Sequence, residues 1–378
     1  MTNTALSLLL LSTLVAHAEQ TMPLERSQAH VDSRIAASAS VNDASQPEVE
    51  NSGSTNATSP ETNPSADPKK KTPTKKDTDA VKRPPIESSM VGYIENAIVG
   101  SEARIRFDAA FNDAFPDRAE FIYAKCGCYR IAGDPYAPGP GLGVPKYVNF
   151  QTLSFMGEYA LVPRLSVFVQ IPIRRLQPEG VIVPPPPPQP PTQAFPSSSG
   201  IGDVEAGMKF AVRASPTGYV TAQLKGYFPS GDPRRGLGTN HYSLEPSLLY
   251  YKKFSQRLEL EGELGGWLPV GGSAGVPTSS PSGFAGNIFF YGIGPSYRVI
   301  DGERFKLSPV IELVGWTVTG GEQTGTPTDA SGTNIVNLKI GARVSLPANN
   351  SVYVGYGRAL TSAAWYDDIV RVEYRHAF

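Results

Sequence analysis

From about residue 100 to the end of the chain, apolar and polar side chains alternate with a period of two. In 164–174, Leu165, Val167, Val169, Ile171 and Ile173 share one parity, and Arg164, Ser166, Gln170 and Arg174 share the other. Residues 257–264 set Leu258, Leu260 and Leu264 against Glu259, Glu261 and Glu263. Residues 203–213 set Val204, Ala206, Met208, Phe210 and Val212 against Asp203, Glu205, Lys209 and Arg213. Residues 335–344 and 369–378 behave alike. In a β-strand this pattern gives one apolar and one polar face.

The pattern predicts twelve strands: 101–111, 147–161, 164–176, 201–214, 218–229, 242–254, 257–269, 284–299, 304–317, 334–346, 351–360 and 365–378. Their connections alternate in length. Long ones (112–146, 177–200, 230–241, 270–283, 318–333) follow short ones near Val162, Pro216, Gln256, Gly302 and Asn349; only 361–364 breaks the rule. A soluble sandwich also alternates apolar and polar positions, but it has no reason to lengthen every second connection. An even-stranded membrane barrel does. Most candidates also exceed the ~9–11 residues that cross a bilayer at a tilt. The expected fold is therefore all-β: a transmembrane up-and-down antiparallel β-barrel of about 12 strands. A hairpin hidden at Phe121–Lys125 and Cys128–Ile131 would raise the count by two.

Phe378, Tyr374, Val372 and Val370 share a parity at the very end of the chain. This resembles the terminal signal read by the outer-membrane barrel assembly machinery, although His376 departs from it. The last strand is expected to pair with the first, because closure satisfies every backbone group in lipid.

The polar parity would face the lumen. Its charged members are Arg104, Arg106, Asp108, Glu158, Arg174, Glu205, Lys209, Arg213, Glu259, Glu261, Glu263, Lys306, Glu312, Lys339, Arg343, Arg371, Glu373 and Arg375. Both signs interleave. They form either a cross-lumen network that rigidifies the barrel or a constriction that selects solutes.

The first part of the chain is different. Residues 1–92 contain no Phe, Tyr or Trp. Residues 5–16 form a short apolar block before Ala16-His17-Ala18, so 1–18 reads as an export signal peptide. Residues 19–92 are rich in Ser, Thr, Pro and Lys and lack periodicity, which predicts a disordered periplasmic tether. Its basic run, 69–83, is a candidate contact for cell-wall polymer or another anionic surface. The barrel is then 93–378.

Composition removes other classes. Lys+Arg 34 against Asp+Glu 35 leaves no basic footprint for nucleic acid. Two cysteines and four histidines supply no metal or cofactor site. Cys126 and Cys128 read as a strained disulfide or packed thiols, and the polyproline stretch 184–191 as a stiff outer loop. One pair carries possible chemistry. His241 and Ser243 resemble two residues of the His-x-Ser-Asn-Gly motif of outer-membrane phospholipase A, but Leu244-Glu245 stand where Asn-Gly should be. The prevailing expectation is that the chain is no enzyme.

GIGDVEAGMKFAV (200–212), GYFPSGDPRRGLGT (226–239) and the closing strands resemble the family named for the MetA pathway of phenol degradation. Residues 107–129 and 368–378 resemble a subgroup of it. The resemblance spans roughly 100–378 and implies an outer-membrane transport barrel for small, often aromatic compounds. Its motifs are structural, so no binding residues carry over. The expected partners are outer-membrane lipid, the assembly machinery and a small-molecule solute. The leading function is passive passage across the outer membrane; the alternatives are a plugged structural barrel and a lipid hydrolase using His241 and Ser243.

Overall fold

The computed structural model describes residues 84–113, 146–180, 196–232, 235–239, 241–270, 287–320 and 331–378. The expected signal peptide, the tether up to 83 with its basic run, Cys126, Cys128, the possible extra hairpin and the polyproline stretch lie outside these residues.

Twelve long strands form the wall: β1 (Glu102–Asp113), β2 (Tyr147–Val162), β3 (Leu165–Glu179), β5 (Val204–Ser215), β6 (Gly218–Phe228), β7 (Tyr242–Lys253), β8 (Leu258–Val270), β9 (Ile288–Tyr297), β11 (Lys306–Val318), β12 (Asn334–Leu346), β13 (Asn350–Ala359) and β14 (Asp368–Ala377). Two stubs, β4 (Ser198–Ile201) and β10 (Ile300–Asp301), pair with β3 and β11. Each long strand pairs antiparallel with its neighbours in the chain, β9 pairs β11, and β1 pairs β14 from Glu102↔Ala377 to Phe111↔Asp368. The sheet is a closed barrel.

Its burial is inverted relative to a soluble sandwich. Val167, Val169, Ile171 and Ile173 are exposed, whereas Ser166, Gln170 and Arg174 on the same strand are buried. Large apolar side chains cover the outside, among them Phe155, Met208, Phe210, Leu248, Leu264, Ile293, Ile311, Ile340 and Val354. Exposed aromatics flank this band: Tyr159, Phe254, Tyr297, Phe305 and Phe378 toward the short-turn end, and Phe228, Tyr242 and Phe289 toward the loop end. An apolar band between aromatic girdles, around a polar interior, is the surface of a membrane-spanning barrel.

The structure moves one boundary. Residues 84–92 belong to the barrel body, not to a tether. Ile86, Ser89, Met90, Val91, Ile94, Asn96, Ala97 and Ile98 are buried. This strap enters through a 3-10 turn, Ile86–Ser88, at the short-turn end. Its two ends meet again there: Asn96 Nδ2 donates to Ile86 O at 3.0 Å, and a Cβ on Gly100 would lie 2.7 Å from Ile86 Cβ. Ile86, Ala97, Ile98 and Val99 pack on Ala211, Tyr219, Leu249, Tyr251 and Ala377. Further up, Met90, Val91 and Ile94 pack on Val310, Val314 and Tyr353. The strap is thus a loop inserted from the short-turn end, with its apex at Gly92–Glu95.

Candidate functional site

The strap has no strand partner inside the barrel, so its backbone groups need other ones. Wall side chains supply them, with acids on one side and arginines on the other. Glu261 Oε1 accepts from Met90 N at 2.8 Å and Val91 N at 3.3 Å. Glu312 accepts from Gly92 N (3.0 Å), Tyr93 N (2.9 Å) and Ile94 N (2.8 Å). Glu263 Oε2 accepts from Glu95 N at 3.0 Å. Opposite them, Arg343 donates to Met90 O (3.1 Å) and Val91 O (2.7 Å), Arg375 to Val91 O (3.0 Å) and Arg371 to Gly92 O (2.6 Å). Such charge-assisted bonds are the stronger class.

Steric fit accompanies this. Gly92 lies so near Tyr353 that a Cβ would sit 2.1 Å from the ring, and a Cβ on Gly294 of β9 would meet Val91 at 2.9 Å. Two basic groups stand over the ring of Tyr93 at the apex: Arg371 Cζ is 4.2 Å and Lys339 Nζ 3.8 Å from its centroid.

Most of the remaining wall charges pair with one another. Arg371 clamps Asp108 at 2.6 and 2.9 Å. Lys209 Nζ meets Glu158 at 2.7 Å, and Ser166 donates to the same carboxylate at 2.6 Å. Glu373 receives Arg343 at 2.7 Å and Arg375 at 2.6 Å. Arg104 bonds Glu102 at 2.8 Å and reaches Glu95 at 3.4 Å. Arg106 meets Gln170 at 3.3 Å, and its Nε stands 3.6 Å from Asp108. Glu259 is 3.9 Å from both Lys253 and Arg298. Paired this way, buried charges are held rather than left to unfavourable desolvation.

Two candidates fall outside the lumen. Arg213 is exposed, because a bulge between Ala211 and Arg213 shifts the register against β6 and turns the rest of β5 over. Lys306 begins β11 at the rim, exposed, 3.6 Å from Asp301. The sequence reading left out Glu102, which binds Arg104, and also Lys225 and Glu245, which pair at 3.0 Å, with Glu95 at 3.7 Å and Glu205 at 3.8 Å from the same amine. Their parity on β1, β6 and β7 carried the signal. The strap was missed too, although Ile86, Met90, Val91, Ile94 and Ile98 precede β1 as an apolar run.

At the terminal strand, Val370 and Val372 lie on the outward parity with Tyr374 and Phe378, and the last two are exposed.

His241 and Ser243 do not form a catalytic pair. His241 Nδ1–H donates to the Thr239 carbonyl at 3.1 Å. Neither His241 Nε2 nor Ser243 Oγ has a hydrogen-bond partner among the described residues. The ring packs edge-on against Trp267, and burial pushes its pKa down to about 4. A neutral imidazole with no hydrogen bond to the serine activates nothing.

Above the strap apex lies a chamber of about 130 Å³. Tyr93 and Glu95 form its floor; Phe150, Tyr227, Phe290, Trp316 and Tyr366 line it, with Arg106, Arg174, Glu205, Lys225, Glu245, Glu263 and Arg371 among its charged groups. Toward the loop end, Phe150, Tyr227, Trp267, Trp365, Tyr366 and Ile369 belong to one apolar cluster.

These features define a class: a closed transmembrane β-barrel with a charged lumen, filled at one end by its own chain and hollow above. The family described as "Putative MetA-pathway of phenol degradation" matches residues 142–365, more than half of the chain. The chain belongs to that family. The match runs from just before β2 to just after β13 and leaves out the strap, β1 and β14. Among solved structures, the chain is similar to the COG4313 outer membrane channel from Pseudomonas putida F1, with 16% identity, 76% of this chain and 99% of that one covered, and a TM-score of 0.48. It is also similar to the KdgM porin, with 7% identity, 73% and 99% covered, and a TM-score of 0.36. A Pseudomonas aeruginosa FadL homologue matches at 11% identity, with 74% and 90% covered and a TM-score of 0.34. No curated protein matches the sequence.

Proposed function

We propose that the chain is an outer-membrane channel for small solutes, with its short-turn end in the periplasm, and that the strap closes it at rest. The observation that carries this reading is the chamber. A barrel serving only as structure has no need for a cavity above the strap lined by aromatic rings and charges. The floor beneath it is held by non-covalent contacts alone, from Glu261, Glu263, Glu312, Arg343, Arg371 and Arg375. A closure built this way can release. The family description, with its reference to phenol, and the rings of Tyr93, Phe150, Phe290, Trp316 and Tyr366 favour small aromatic solutes.

Single-channel recording of the full chain in a planar bilayer tests this. The wild type is expected to rest closed with rare openings. A variant whose residues 86–98 are replaced by a Gly/Ser linker of equal length is expected to conduct steadily. A replaced-strap barrel that inserts, shifts on heating in a detergent gel and stays silent would move the protein to the plugged, structural reading. Unchanged phospholipid turnover in Ser243→Ala is expected, since no hydrogen bond joins His241 and Ser243.

A further inference from the structure

Lys339 is the buried lysine that the mechanism so far leaves unused. Lys209 has Glu158 at 2.7 Å and Lys225 has Glu245 at 3.0 Å. Lys339, buried on β12, has no carboxylate within 4.0 Å among the described residues. Its hydrogen-bond partner is the Tyr366 hydroxyl, at 2.6 Å. Otherwise it is boxed by rings: Tyr93 at 3.8 Å, Tyr366 at 5.1 Å and Trp316 at 5.7 Å. The acids that act on it from farther away are committed elsewhere. Asp108 is clamped by Arg371, Glu312 takes three strap amides and Glu263 takes a fourth.

The three rings that box Lys339 also line the chamber, whereas Lys339 itself does not. Tyr93 is therefore a partition. On one side is the open chamber; on the other is an amine without a counter-ion. Arg371 flanks the same ring at 4.2 Å. One ring set against an amine and a guanidinium is a weak substitute for an anion, since a cation–π contact is worth less than a buried charge pair. A ligand with its own ring and a carboxylate would supply both the stacking and the missing charge.

We propose that the chamber binds a small aromatic anion, whose charged group replaces the Tyr93 ring between Lys339 and Arg371 and so frees the strap. This rests on the channel reading above. It adds the ligand class, the selecting residue and the trigger. Tyr93 is the latch, and Lys339 discriminates an aromatic acid from a neutral aromatic of equal size.

The test uses benzoate and benzyl alcohol added from the loop side to full-length protein in a planar bilayer, with binding followed in parallel by tryptophan fluorescence in detergent. Benzoate is expected to raise the open probability of the wild type by about tenfold, within the range of ordinary site-to-site coupling; benzyl alcohol is expected to leave it unchanged. Lys339→Gln should lose the benzoate response in both current and fluorescence, and Lys339→Arg should keep it. Tyr93→Ala should conduct without ligand. Equal responses to benzoate and benzyl alcohol, or a Lys339→Gln protein that responds like the wild type, would overturn the proposal. If Tyr93→Ala and the replaced-strap barrel are both silent, the channel reading fails instead. Fluorescence alone then decides whether the anion site exists: a benzoate signal lost in Lys339→Gln supports it, and its absence in the wild type removes it. If Lys339→Gln does not fold, a missing benzoate signal in folded Lys339→Arg overturns the proposal.

Discussion

The lower and upper halves of the lumen use the same chemistry to opposite ends. In the lower half, Glu261, Glu312, Arg343 and Arg375 meet a backbone that needs donors and acceptors, and the space is filled. In the upper half, Lys225, Glu205 and Glu245 meet mainly one another, and the space stays hollow. Charged walls alone therefore do not decide whether a barrel is open. What decides is whether a segment is present whose unpaired backbone can satisfy those walls. Arg371 works in both halves, binding Asp108 with its Nε and Gly92 O with Nη1.

Substitutions can break this comparison at graded cost. The largest effect is expected from Lys209→Met, which leaves Glu158 buried without its cation and should cost about 3–5 kcal/mol. A lower temperature for the unfolding shift in detergent gels would show it. Glu312→Gln comes next. It weakens three amide bonds at the apex but leaves the sheet ladder intact, for about 2–4 kcal/mol of strap docking. Amide exchange should rise at Gly92–Ile94 while β11 and β12 stay protected; exchange rising in all three would show that the strap and wall are one unit.

Gly92→Ala pushes a methyl group against the Tyr353 ring and should loosen the apex by about 1–3 kcal/mol, visible in the same exchange experiment. A smaller effect is expected from acid at the loop end. His241 is held neutral in the fold, with its pKa lowered from 6.5 to about 4. The unfolded chain binds the proton first, so this contribution is fully present above pH 6.5 and is lost as the pH falls toward about 4. The wild-type unfolding midpoint should fall more steeply than that of His241→Gln over this window. The smallest effect belongs to Arg213→Gln, an exposed site past the bulge, where stability should move by no more than about 0.5 kcal/mol. A large loss there would mean that Arg213 has a partner.

Strand positions were legible because the period of two is a local property that every turn of the pleat repeats. The same period puts the charges that the structure buries on one parity of most strands, from Arg104 on β1 to Arg375 on β14. Arg213 was not, because one extra residue at the Ala211–Arg213 bulge reverses all later parity without a compositional mark. Family membership was legible in 200–212 and 226–239, both within the matched residues.

The strap marks where local reading stops. Its residues carry no period, and its backbone is satisfied largely by side chains 124 to 286 positions away. The sequence alone determined a closed, lipid-facing β-barrel with a polar interior, because alternation and connection length act within a few residues. Only the tertiary structure decided that 84–100 fills that interior, that Tyr93 lies between Lys339 and Arg371, and that a chamber remains above them. Those outcomes depend on which distant charges converge when the barrel closes, and no short stretch of chain encodes that convergence.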